Sequence, residues 1–424
     1  MGLTYKNIPI KPSILKNMEN ILGESKIEKF IEDAKDNLYI EDLSGRLLIA
    51  GNYPSYNIGE FISGIPISIK GKLDKNGIFI FDDYLFYEND KGINNNQNNY
   101  EEKINKQNEE KINLIETKNE EENNNILSCE KIIEKIEDHS SNIKNLILFI
   151  SNLNFGKFSN SNDGLKQSII NLLIDFIQNQ NNINNTLFQF SNRICRIILV
   201  GNSLNTYENE IEKNLNFNLS SLSLEDINSK IIDNYSLFNK FLNIISNYIY
   251  IDVMPSLDTN DDLKFPQNPL NKLLFNENIS YINYSSLKLV SNPYFFDIYI
   301  PSKNKKKYFI GTSGENVNII KQHSCFENNI DVMKKNIEWR HLSPINPSYS
   351  SLYSFDNQTD PLIINKLPDI YFISGNKELL YEKIKIDYKE IFLLSLPDFN
   401  KTSKCVLYNY EDDSIKEIDF SFNF

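Results

Sequence analysis

Several residue types are scarce in this sequence, and each scarcity narrows the reading. Its 424 residues include three histidines, four cysteines and one tryptophan. The cysteines, Cys129, Cys195, Cys325 and Cys405, lie far apart and form no CxxC pair. That argues against a disulfide framework or a zinc knuckle and points to a reducing compartment. No apolar run approaches the ~20 residues that span a bilayer. The start, MGLTYK, has Lys6 where the myristoylation pattern needs Ser or Thr, and no secretory signal pattern is found. A soluble protein of the cytosol or nucleus, with no membrane contact, is expected. Arginine is confined to Arg46, Arg193, Arg196 and Arg340, and the net charge is −13 with a pI near 5.0. Phosphate backbones need clustered cations, so tight non-specific nucleic-acid binding is not expected. The one local basic run, Lys303 to Lys307, reads as a solvated loop. Alanine occurs only at Ala34 and Ala50. With abundant Asn, Lys, Ile, Phe and Tyr, this follows AT-rich codon usage and says little about chemistry.

What is present suffices for real cores. Hydrophobic residues make up 40% and aromatics 12% of a 49.4 kDa chain, too long for one core. Residues 1–36 read as an N-terminal arm and helix docked on a larger body, with Ile27, Phe30 and Ile31 at helical spacing. Residues 37–87 switch to short alternating strands with a turn at Asp74 to Gly77. Four or five strands in about 50 residues suit an OB-fold. Phe79, Phe81, Tyr84 and Phe86 are candidates for base stacking, or equally for strand-face packing. Residues 88–142 are rich in Asn, Glu and Lys and read as a mostly disordered insertion, with a short helix at 126–136. From 143 to 424, strands alternate with helices, which predicts a layered α/β domain.

The most informative stretch is LILFISNLNFG, residues 146–156. Five apolar residues in a row predict a strand buried on both faces. A polar loop follows at the strand's carboxyl end, where α/β sheets build their sites. A two-metal phosphoesterase places ligands on four such loops, as D-x-H, G-D, G-N-H-[DE] and G-H-x-H. Here the corresponding residues are Asn152 and Asn154, then Gly201-Asn202, then loosely Pro255 to Asp258, then Gly375-Asn376-Lys377-Glu378. Two cations about 3.5–4 Å apart need anionic bridging, which neutral amides do not provide. The degenerate positions Asn152, Asn154, Asn202, Asp258, Asn376 and Glu378 therefore predict no metal, no other cofactor and no catalytic residue.

The chain resembles the second (small, B) subunit of DNA polymerase delta. The resemblance rests on IPIKPSIL (8–15), ISGIPISIKGKLDKNGIFIFDDYLF (62–86), LILFISNLNFG (146–156), RIILVGNSL (196–204), VMPSLDTND (253–261), FPQNPLNKLLF (265–275), LVSNPY (289–294), FIGTSGENVNII (309–320), EWRHLSPINP (338–347), TDPLIINKLPDIYFISGN (359–376) and LLSLPDF (393–399). It implies an inactive calcineurin-like phosphodiesterase domain packed with an OB-fold. It also implies a non-catalytic nuclear scaffold in DNA replication and repair. The implied partners are the C-terminal metal-binding domain of the polymerase catalytic subunit and a third subunit. That third subunit links to the sliding clamp, so clamp contact is indirect, and DNA contact is indirect or weak. The family usually has an arm ahead of the 8–15 region, almost where this sequence begins, and the insertion is longer than the family leads one to expect. Among the residues themselves, Trp339, Arg340, His341 and Pro344 are candidates for partner contact, because Trp and Arg are enriched at interface hot spots. A core role for Trp339 fits the sequence equally well. Gly311 and Gly314 mark a strand-to-helix turn, read as backbone geometry rather than a phosphate cradle.

Overall fold

A computed structural model describes residues 1–9, 29–31, 35–51, 57–86, 144–155, 163–178, 188–204, 224–256, 265–275, 286–346, 360–386 and 389–421. The chain divides into two compact units, one of residues 1–86 with 144–424 and one of residues 87–143. The second unit lies outside the described residues, and with it the expected insertion and its helix at 126–136. The first unit holds a barrel and a larger α/β domain.

The barrel has five strands: β1 (Gly2–Asn7), β2 (Asn37–Asp42), β3 (Gly45–Gly51), β4 (Pro66–Leu73) and β5 (Phe79–Phe86). They close in the order β1-β2-β3-β5-β4 around Leu38, Ile49, Phe61, Ile67 and Phe81. Here the expected boundary at residue 37 is corrected. Residues 2–7 are not part of an arm; they form the first barrel strand, pairing with both β2 and β4. Their pattern hides this, because the inward residues are polar: Thr4 is 1% and Lys6 0% exposed. Thr4 is satisfied by the loop before β4: its Oγ1 donates to the Ile62 carbonyl at 2.6 Å and accepts from the Ile65 N–H at 2.9 Å. Lys6 pairs with the equally buried Asp36 at 3.3 Å. Of the helix expected within residues 1–36, around Ile27, Phe30 and Ile31, most lies outside the described residues, and residues 29–31 are not helical. They do dock on the body, with the Phe30 N–H donating to the Gln322 carbonyl at 2.8 Å.

The larger domain has two mixed sheets. One runs β16-β15-β6-β7-β8-β9 and the other β10-β11-β12-β14-β13. In chain order the elements are β6 (Leu146–Ser151), α1 (Asp163–Gln178), β7 (Ile194–Val200), α2 (Leu224–Ser246), β8 (Tyr250–Val253), β9 (Leu287–Leu289), β10 (Tyr294–Ile300) and β11 (Lys305–Thr312). Then come α3 (Glu315–Gln322), α4 (Asn329–Glu338), β12 (Ile370–Asn376), β13 (Leu380–Ile386), β14 (Lys389–Pro397), α5 (Phe399–Thr402), β15 (Lys404–Asn409) and β16 (Ile415–Asp419). Side chains alternate across each strand, and the two faces join different cores. Ile147 and Phe149 of β6 meet Phe309, Phe372 and Leu394 between the sheets. Leu146, Leu148 and Ile150 turn outward against Leu173, Phe176, Phe238 and Leu242. On the far side, Ile310, Tyr371, Ile373 and Leu393 pack with Val317, Ile320, Val332 and Met333. The layers are thus helix, sheet, sheet, helix. Every residue of β6 is buried, as its unbroken apolar run predicts.

Candidate functional site

The carboxyl ends of β6, β7, β12 and β14 meet at one edge of this sandwich. Asn152 sits at φ 53° and Asn154 at φ 50°, a left-handed conformation that Asn tolerates better than most residues. Asn152 Oδ1 accepts from the Asn202 N–H at 2.8 Å. Its own N–H donates to the Val200 carbonyl at 3.0 Å, and its carbonyl accepts from the Asn400 N–H at 3.2 Å. The Asn154 N–H reaches the Asn202 carbonyl at 3.1 Å, and the Asp398 N–H reaches the Asn376 carbonyl at 2.8 Å. A Cβ on Gly201, at φ 80°, would lie 2.4 Å from both Asn152 Oδ1 and Ser374 Oγ. Only glycine permits that approach. The loops are therefore stitched to one another, and Asn152 is the central stitch between β6, β7 and the start of α5.

Four of the six positions singled out from the sequence are brought together here: Asn152, Asn154, Asn202 and Asn376. Asn154 follows on the same loop and is buried at 8% exposure. Glu378 is exposed beyond the turn, and Asp258 lies outside the described residues. Among the described residues, no group of three or more His, Cys, Asp or Glu side chains is placed to hold a metal ion. The two described histidines are engaged elsewhere. His323 Nδ1 lies 2.8 Å from the Ile319 carbonyl. His341 Nε2 faces Asp360 Oδ2 at 3.0 Å, while its Nδ1 accepts the Ser343 N–H at 3.0 Å.

Sequence reasoning passed over residues that complete this edge. Asn292, 0% exposed, donates through Nδ2 to Gln267 Oε1 at 2.7 Å and also to the Ser313 hydroxyl. Ser374 Oγ donates to the Ser313 carbonyl at 2.7 Å. Asp398, 4% exposed, pairs with Lys401 at 2.9 Å. Asn292 and Asp398 both sit in the quoted segments LVSNPY and LLSLPDF, but nothing in a lone Asn or Asp marks it as buried.

The candidates for partner contact are mostly corrected. Trp339 is 1% and Arg340 7% exposed, and Pro344 is buried too; only His341 is half-buried. EWRHLSP finds its partner inside the chain, where it seats the barrel. The Trp339 ring lies edge-on to Phe86 of β5 at 6.5 Å and shares a core with Ile62 and Ile65. Gly64, at φ 90°, passes so close to Pro344 that a Cβ would fall 1.9 Å from its carbonyl oxygen. Lys335 adds a contact to Glu60 at 3.8 Å. Phe79 is half-buried against the barrel core, and the other three stacking candidates are engaged inside the chain. Phe81 is 0% exposed in the barrel core, Tyr84 packs edge-on to Phe61 at 5.4 Å, and Phe86 packs on Trp339.

Comparisons with known proteins agree with this architecture. The profile of the family of B subunits of DNA polymerases alpha and epsilon matches residues 147–379. The chain belongs to that family. The profile of the DNA polymerase delta subunit OB-fold domain matches residues 1–84, which places β1 inside the barrel as the structure does. The chain is similar to the DNA polymerase delta small subunit of Arabidopsis thaliana, 26% identical over 99% of this chain and 81% of the relative. The corresponding protein of Saccharomyces cerevisiae is 24% identical over 97% and 76%. The resemblance to the second subunit of DNA polymerase delta, an accessory subunit of the polymerase, is thereby borne out, as is a fold of an OB barrel with an α/β domain. A solved structure described as a novel archaeal phosphodiesterase overlaps 65% of this chain and 99% of its own, at 11% identity and a TM-score of 0.29.

Proposed function

We propose that this chain is a non-catalytic scaffold subunit of the DNA polymerase delta complex. It holds the C-terminal metal-binding domain of the catalytic subunit and joins it to the third, clamp-linking subunit, in the nucleus, during replication and repair. The observation that carries the non-catalytic part is the amide edge. At Asn152 and Asn202, where a binuclear phosphoesterase needs carboxylates, neutral amides stand instead, and the Asn152 amide oxygen and the backbone groups of both residues are engaged in hydrogen bonds between neighbouring loops. Asn376 and Glu378 stand where the pattern has imidazoles, and Lys377 between them adds positive charge. Two divalent ions there would repel each other unbridged. The larger domain is thus a phosphodiesterase-like frame retained for its surfaces, with the metal ligands replaced. Membership of the family and similarity to delta small subunits over 97–99% of this chain support the choice of complex.

The test is co-expression of the full chain with the catalytic subunit's C-terminal metal-binding domain. A stable one-to-one complex on size exclusion is expected. Two well-behaved proteins eluting separately would overturn the reading.

A further inference from the structure

Four strands end the two sheets: β9 and β16 in one, β10 and β13 in the other. An unpaired edge is a template for another chain, and proteins guard it with charge or brevity. Three of the four are guarded. β9 has three residues, LKL. β13 reads LYEKIKI and β16 reads IKEID, each with charges of both signs. β10 is the exception. It reads YFFDIYI over seven residues, with one charge and no proline. That is the composition of a strand that seeks a neighbour. Its side facing away from β11 has no strand partner among the described residues.

The outer face of this edge is aromatic and basic. Phe295 is 38% and Tyr299 51% exposed. Opposite Tyr299 in the register stands Lys306, exposed and without a counter-ion among the described residues. Lys366 lies 3.6 Å from Asp297 and 4.6 Å above the Tyr308 ring. The other lysines of the hairpin are engaged: Lys307 pairs with Asp413, Lys305 lies 3.9 Å from Asp369, and Lys303 donates to the Glu411 carbonyl. So much pairing suits no phosphate backbone. It leaves one cation across from Tyr299, on an open ladder that also carries Phe295.

We propose that β10 is a strand-addition site. It takes an extended segment of another subunit of the complex, with apolar side chains over Phe295 and Tyr299 and a carboxylate against Lys306. Main-chain hydrogen bonds supply the affinity, and the alternate side chains supply the choice of segment. A second copy of this chain fits badly, because antiparallel pairing of β10 with itself about its centre sets Asp297 against Asp297, and like charges directly opposite are destabilising.

This inference rests on the scaffold reading, and hydrogen exchange separates the two. Amides of residues 294–300 are followed in the free full chain and in the complex co-expressed with the catalytic and third subunits. The expected result is at least roughly tenfold slower exchange in β10 on assembly, with β13 unchanged, and about tenfold weaker assembly for Lys306→Glu. An intact complex with β10 still exchanging freely overturns the inference and leaves the scaffold reading standing. Failure to assemble overturns both. Protection of β10 by a dT20 oligonucleotide, or by raising the concentration of the free chain alone, also overturns it.

Discussion

Asp252 lies between the sheets at 2% exposure, with Arg196 at 3.3 Å and the Tyr294 hydroxyl donating to it at 3.0 Å. Burial pushes its carboxyl above the ordinary 3.8, and the attraction of Arg196 only partly offsets this. The sign of the linkage follows. Between 3.8 and the raised value the folded state binds more protons than the unfolded, so stability falls as pH rises through that window and is flat above it. In urea titrations across acidic pH, Asp252→Asn is expected to lack that share of the decline. An unchanged slope would contradict it. The cysteines follow the same physics. Burial pushes the Cys195 thiol up to about 11 and the Cys405 thiol still higher, and the thiolate is the reactive form. In the native chain at pH 8, Ellman's reagent is expected to label Cys325 well before Cys195 or Cys405: Cys325 and Cys195 are both half-buried, but the Cys195 thiol donates to the Leu146 carbonyl at 3.2 Å and is held protonated by burial. Labelling of Cys405 at the rate of Cys325 would show that the β15 core opens readily.

At the scale of elements, the joint between barrel and α/β domain depends on one close approach. Gly64 combines φ 90° with a would-be Cβ 1.9 Å from the Pro344 carbonyl oxygen. Gly64→Ala is therefore expected to destabilise the chain by at least about 2 kcal/mol through backbone strain and displacement of Pro344. Trp339→Ala is expected to cost about 3–5 kcal/mol through the cavity it leaves. Urea unfolding measures both, and a loss under 0.5 kcal/mol for either, taken roughly as the limit for surface substitutions, would show that the joint does not seat the barrel. This joint also marks where the sequence stops being legible. β6 was readable because an unbroken apolar run announces it, and the β4–β5 hairpin because of its turn at Asp74 to Gly77. β1 was not, since it turns Thr4 and Lys6 inward. β10 was not, since aromatic residues on both faces blur its alternation. β13 was not, because an edge strand with exposed charges resembles a loop. Trp339 carried the right signal with the wrong address: a large aromatic beside an arginine signals an interface without saying whether its other side belongs to the same chain.

For the whole molecule, the amide edge was legible as chemistry before it was visible as geometry. The absence of carboxylate and imidazole at 152, 154, 202 and 376 was written in residue types. What the sequence did not reveal is that Asn152 has acquired structural work. It holds φ 53°, fixes the Asn202 N–H and receives the Asn400 N–H, so it ties two strands of one sheet to the helix that follows the other. Alanine at that position loses the left-handed tolerance, worth about 1–2 kcal/mol, and one hydrogen bond, worth about 1 kcal/mol. Asn152→Ala is therefore expected to lower the unfolding free energy by about 2–3 kcal/mol. Asn152→Asp keeps an acceptor for Asn202 and a residue at ease in that conformation, so it stays closer to the parent. Neither change touches the barrel or β10, so both variants should still form the complex with the catalytic subunit's C-terminal domain at unchanged stoichiometry. Denaturation and size exclusion, run side by side, separate the two roles. Asn152→Ala with the parent's stability but without assembly would make this edge a binding site in its own right, against the scaffold reading in which it only holds the frame.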